Sequence, residues 1–110
     1  MIRWHRPMYM DETIKETPAV IRYRFKFKKY PGDYYYIILP KEKDMPEIIK
    51  AVYLKQSWYK SADYDILGIA SGKHKAFELF GRMARDAYET LGDINIRKFM
   101  ERERPARPGS

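Results

Sequence analysis

Eight consecutive residues, Ile21-Arg22-Tyr23-Arg24-Phe25-Lys26-Phe27-Lys28, alternate an apolar or aromatic side chain with a cation without a slip. Successive side chains on a β-strand point to opposite faces. The pattern therefore predicts a strand over residues 19–28, with Ile21, Tyr23, Phe25 and Phe27 on the core side and Arg22, Arg24, Lys26 and Lys28 on the other. Tyr30-Pro31-Gly32-Asp33 follows, with Pro to preset φ and Gly to accept a positive φ, which predicts a tight turn and a hairpin.

The returning strand, residues 34–39, reads Tyr-Tyr-Tyr-Ile-Ile-Leu and is apolar or aromatic on both faces, as a central strand would be. Pro40 ends it. A helix over residues 45–58 is predicted from Asp44 as cap, Pro46 in the first turn and Glu47 as the partner in a capping box. Its buried stripe would be Met45, Ile48, Ile49, Val52, Tyr53 and Gln56. Residues 64–70 read as a second buried strand. A longer helix over residues 73–91 is predicted from the stripe Ala76, Phe77, Phe80, Met83, Ala84, Ala87 and Leu91, with Gly92 as its C-cap. Residues 94–100 fit a short capped helix or a brief strand, and the helix is preferred.

The 110 residues leave room for one domain, and a 45% hydrophobic share is enough for one core. The expected organisation is an irregular N-terminal arm (residues 1–18), a single α+β domain (19–101) and a disordered basic tail (102–110). The expected fold is α+β in the order ββαβα: a small mixed three-stranded sheet with two helices on one face and a short C-terminal helix. A right-handed crossover would make the strands at 34–39 and 64–70 parallel.

Formal net charge is +7, unevenly spread: residues 1–32 hold eight cations and three anions, residues 33–71 five and six, and residues 72–110 nine and six. A basic balance favours acidic partners such as nucleic acid. The absence of cysteine excludes disulfides, thiolate nucleophiles and cysteine metal sites, and fits a reducing, cytoplasmic compartment. No apolar run approaches the ~20 residues needed to span a bilayer, so no membrane partner is expected.

Chemical motifs are sparse. Gly68-Ile-Ala-Ser-Gly72-Lys73-His74 joins a strand to a helix but lacks the spacing and the hydroxyl of a phosphate-binding P-loop, and Ser71 as a helix cap accounts for it. His74 and Glu78, one helical turn apart, read as a surface pair, because a metal site needs a third ligand. Asp63 and Asp65 fit turn chemistry better than cation binding. With no nucleophile beside a base, no catalytic residue, metal or cofactor is assigned, and the chain is expected to be non-enzymatic.

The candidate site is the cationic face itself: Arg22, Arg24, Lys26 and Lys28 to neutralise phosphates, and Tyr35 or its neighbour to stack on an unpaired base. The expected function is binding of single-stranded nucleic acid or RNA. Polar residues on the open face of an antiparallel strand also serve solubility alone. The alternative is a regulator or inhibitor that binds a protein, for example a phage or mobile-element factor acting on a host nucleic-acid enzyme, or a homodimer. Trp58 and Tyr59, where the predicted first helix runs out, are the candidates for protein contact.

Overall fold

β4 (Tyr64–Ser71) organises the chain, since every side chain from Tyr64 to Ala70 is buried. A strand apolar on both faces needs a pairing partner at each edge and a covering layer on each face. The computed structural model describes residues 2–26, 34–55 and 62–103. Among them, β1 (Ile2–Met10), β2 (Tyr34–Pro40), β3 (Glu47–Lys50) and β4 form a four-stranded sheet in the order β1-β4-β2-β3. β1 runs parallel to β4, whereas β2 is antiparallel to both β4 and β3.

Helices α2 (Lys73–Leu91) and α3 (Ile96–Glu103) cover one face of the sheet. There Ala76, Leu79, Met83 and Ala87 of α2 and Ile96, Phe99 and Met100 of α3 close over Ile37, Leu39, Leu67 and Ala70. The opposite face is covered by α1 (Pro18–Lys26) and a 3₁₀ turn (Ala51–Lys55), which bury Ile21, Ala51 and Leu54 against Tyr36, Ile38, Ile66 and Ile69. Residues at i and i+3 eclipse on a 3₁₀ turn, so Ala51 and Leu54 share its inner side.

A bulge in β4 makes the two faces compatible. Ile37 lies opposite Gly68 and Ile38 opposite Ile66, which leaves Leu67 as the extra residue. Ile66 and Ile69 therefore face α1 while Leu67 and Ala70 face α2. At the bulge a Cβ on Gly68 would stand 2.9 Å from the Tyr9 carbonyl oxygen and 2.9 Å from Met83 Cε, so only glycine admits β1 and α2 this close.

Polar contacts fasten the helices. The Tyr9 hydroxyl donates to Asp86 at 2.6 Å, and the Arg82 guanidinium lies 5.6 Å from the centre of the Tyr9 ring, tying α2 to β1. Asn95 caps α3 by accepting from the Lys98 amide at 3.0 Å. Arg97 then reaches the β2–β3 turn and donates to the carbonyls of Pro40 (2.7 Å), Lys41 (3.2 Å) and Lys43 (2.6 Å).

The chain is α+β, as its pattern predicts, and β2, β4, α2 and α3 fall where expected, with Gly92 left-handed at the end of α2 (φ 80°). Other expectations require correction. The order ββαβα and the three-stranded sheet are replaced by β-α-β-β-β-α-α with the 3₁₀ turn after β3. Helices sit on both faces. The arm expected at residues 1–18 contains β1, whose Ile2, Trp4, Met8 and Met10 pack on the α1 side. Pro7 lies in its irregular stretch, where the register with β4 shifts between Trp4 and Tyr9.

Residues 18–26 are helical and not a strand. Likewise the helix expected at 45–58 begins as β3: Ile48 and Ile49 face opposite layers, and the outer edge of β2 gains a hydrogen-bonded partner. Met45, Val52 and Tyr53 of its supposed buried stripe are exposed. With a hairpin in place of a crossover helix, β2 and β4 are antiparallel and not parallel. Gly72, and not Ser71, stands at the N-cap of α2. The expected Pro31-Gly32 turn and most of the basic tail lie outside the described residues, although α3 extends through Glu103.

The Gly68 contacts lead to a direct expectation. Gly68→Ala should destabilise the protein by about 1–3 kcal/mol, because a backbone carbonyl must move to admit the methyl group. A lower urea midpoint at unchanged m-value checks this, and a wild-type midpoint would contradict it.

Candidate nucleic-acid interface

The candidate surface is built on α1, and the sequence just before it starts the helix. Thr17 occupies the N-cap, its hydroxyl accepting from the Val20 amide at 3.3 Å, and Pro18 takes the first helical position, where its missing N–H costs nothing. Ile21 and Phe25, one turn apart, then point inward. Phe25 meets Trp4 edge-on at 5.1 Å and Tyr36 at 5.7 Å, so an aromatic trio clamps the helix to β1 and β2.

Two carboxylates hold the loop that leads into this helix. Asp11, buried at the end of β1, accepts from the Thr13 amide at 2.6 Å, the Thr13 hydroxyl, the Ser71 amide at 2.5 Å and the Ser71 hydroxyl at 3.1 Å. Burial pushes its pKa up, but these donors outweigh burial and hold it below the ordinary value. Glu16 accepts from the Tyr34 hydroxyl at 2.9 Å and pairs with Arg24 at 2.6 Å. Burial first, and then the bond to Glu16, pushes the Tyr34 hydroxyl up to about 12.

The outer side of α1 is cationic and carries no acid: its charged residues are Arg22, Arg24 and Lys26. Arg24 is committed to Glu16. Arg22 and Lys26 stand one turn apart, with no ion pair to any described residue, on the flank beside Tyr23. Tyr23 is 67% exposed, the largest value among the described large apolar residues. The arrangement can offer two positive charges to an anionic polymer and one aromatic ring to a planar group.

No family model, curated protein or solved structure matches the chain.

The expected site residues are only partly brought together. Arg22, Arg24 and Lys26 share α1, but helical geometry turns Arg24 away from the other two. Tyr35 is not their neighbour: it is half-buried on the opposite sheet face, against the core under α2 and α3. The cationic sheet face on which stacking by Tyr35 was expected does not form. Lys28, Trp58 and Tyr59 lie outside the described residues. Tyr23, assigned to the core by alternation, is outside it. Thr17-Pro18 as a cap pair, with Ile21 and Phe25 at helical spacing, was the signal that could have placed Tyr23 correctly.

Elsewhere, His74 and Glu78 form the expected exposed pair, 2.9 Å apart on α2. Asp63 and Asp65 both bind Arg3, at 2.7 and 2.5 Å. Burial raises the Asp63 pKa, but the hydrogen bond to Arg3 outweighs it and leaves the carboxylate below its ordinary value. Among the described residues, no three His, Cys, Asp or Glu side chains converge to hold a metal ion. No described helix is long and apolar enough to cross a membrane.

Asp11 gives the site a pH dependence. Its folded-state pKa lies below the ordinary 3.8. The stability it contributes is therefore complete above about pH 5 and is lost as pH falls through the lowered value. Asp11→Asn should cost about 1–3 kcal/mol at pH 7, since the amide nitrogen cannot accept from Ser71 or Thr13. The gap from wild type should close toward about pH 2. Urea unfolding of both proteins across this range is the check, and a pH-independent gap would contradict the assignment.

Proposed function

We propose that the protein is a non-enzymatic binding module for single-stranded nucleic acid, RNA or DNA, with α1 as the contacting element. The observation that carries this reading is the juxtaposition of Arg22 and Lys26, which form no ion pair with a described residue, with the exposed Tyr23 ring on a helix that contains no acid. Phosphates release counterions when cations meet them, and bases stack on aromatic rings at about 1–3 kcal/mol each. Unpaired bases present the π-face that Tyr23 can use, which favours single strands over duplex.

A net charge of +7 adds a general attraction that steers any polyanion toward the chain. In this reading the chain works in the cytoplasm. A protein-binding regulator is the second reading, and the exposed apolar residues Phe77 and Tyr88 on α2 favour it.

Fluorescence anisotropy with labelled single-stranded oligonucleotides tests the proposal. Binding should weaken steeply with salt, and Arg22→Glu/Lys26→Glu should remove most of it and flatten the salt slope by about 1–2. Tyr23→Ala should cost about 1–3 kcal/mol with little change in that slope, because a ring carries no charge to exchange with counterions. Circular dichroism of each variant confirms that α1 still folds. Absence of RNA or DNA binding at low salt would overturn the proposal.

A further inference from the structure

Helix α2 carries its charges the wrong way round for its own dipole. Its first turn holds Lys73 and Lys75 and no acid, while its last turn holds Glu89 and no base, with Asp93 just beyond. Each arrangement opposes the partial charges at the helix ends and weakens the isolated helix. Gly81, in the middle of α2, also weakens it. A Cβ there would meet nothing within 4 Å among the described residues, so none of their contacts calls for glycine.

These features lie along an exposed apolar stripe. Phe77 is 55% exposed and Tyr88 60%, although both belong to the longest helix of the protein. At 3.6 residues per turn, Phe77, Gly81, Ala84 and Tyr88 fall within about 60° of arc, and half-buried Phe80 and Leu91 border them on the core side. The stripe is symmetric about the point between Arg82 and Met83: Phe77 and Tyr88 are equidistant from it, as are Gly81 and Ala84.

We propose that this stripe is the contact surface for a second copy of the chain, with the two α2 helices packed antiparallel about a two-fold axis near Arg82 and Met83. In such an isologous contact each residue meets its counterpart on the far side of the midpoint. Phe77 of one protomer packs beside Tyr88 of the other, and Gly81 faces Ala84, so the two backbones approach closely. On the solvent flank His74 comes beside Glu89, and Glu78 beside Arg85, each pair occurring twice. The basic first turn of one helix then lies along the acidic last turn of the other, and the opposed dipoles align favourably. The charge order that is unfavourable within one helix becomes complementary between two. The rings supply most of the affinity, and the charges set direction and register. This inference uses α2 alone and stands apart from the nucleic-acid reading of α1.

Analytical ultracentrifugation of the full chain from about 1 µM to about 1 mM is the test. The mass should rise from 13.3 kDa toward twice that value and stop there. Phe77→Glu should keep the protein monomeric. Gly81→Gln should raise the melting temperature of the monomer, because it removes a helix glycine into open space, and yet abolish association. The opposite movement of these two readouts separates loss of contact from loss of fold. Glu78→Arg alone and Arg85→Glu alone should each weaken the dimer about five- to tenfold, and the double variant should restore it. The proposal is overturned by a wild-type mass that stays at 13.3 kDa up to about 1 mM, by growth past the dimer, by a dimer that survives both Phe77→Glu and Gly81→Gln, or by a double variant no stronger than its parents.

Discussion

Burial of β4 on both faces is the constraint from which the remaining architecture follows. A strand whose side chains from Tyr64 to Ala70 are all withdrawn from water must satisfy its backbone groups at both edges and its side chains on both sides. β2 supplies one edge and β1 the other. The bulge at Leu67 distributes the side chains so that each layer receives an isoleucine or leucine where it needs one. Gly68 then admits Tyr9 and Met83 to the point where strand and helix both press on β4. α1 and the 3₁₀ turn are a consequence, because a second apolar face with Tyr36, Ile38, Ile66 and Ile69 requires a second cover.

That second cover is also where local sequence and fold diverge. β2, β4 and α2 were legible because their patterns are long or uniformly apolar, so periodicity and burial give one answer. The stretch from Ile21 to Lys28 satisfies two periods at once: alternation makes a strand, but Ile21 and Phe25 also sit one helical turn apart. Nearest-neighbour pattern cannot choose between them. The choice is made by Thr17 and Pro18, which start a helix, and by Trp4 and Tyr36, which accept Phe25, Trp4 doing so from a segment expected to be an irregular arm. β1 was missed for the complementary reason. Ile2, Trp4, Met8 and Met10 alternate correctly, but Arg6 and Pro7 interrupt them, and only pairing with β4 on both sides of the irregular stretch makes one strand of the two pieces.

The same divergence governs how much of the candidate site could be read. Composition identified the cationic residues, and three of them share an element, but the face they present depends on whether that element is a strand or a helix. As a strand, residues 22, 24, 26 and 28 would have formed one row. As a helix, Arg24 turns toward Glu16, Tyr23 turns outward, and Tyr35 stays behind the sheet. The two tethers at Asp11 and Glu16 were not legible at all. Their partners, Ser71 and Tyr34, are neighbours across β4 and β2, in a register that no local pattern encodes.

Placement of the acids explains why a chain with 15 of them can still present cationic surfaces. Asp11 and Asp86 are satisfied by hydroxyl and amide donors, Glu16 by a hydroxyl and Arg24, and Asp63 and Asp65 by Arg3. Each of these carboxylates fastens one element to another: β1 to β4, α2 to β1, the α1 loop to β2. Anions spent on internal joints are held by short contacts to fixed donors, whereas half-buried Arg22 and exposed Lys26 form no ion pair with a described residue. Net charge alone does not predict that division. It follows from the topology, which gathers strand ends and loop entries where an acceptor is needed and leaves α1 on the outside with donors only.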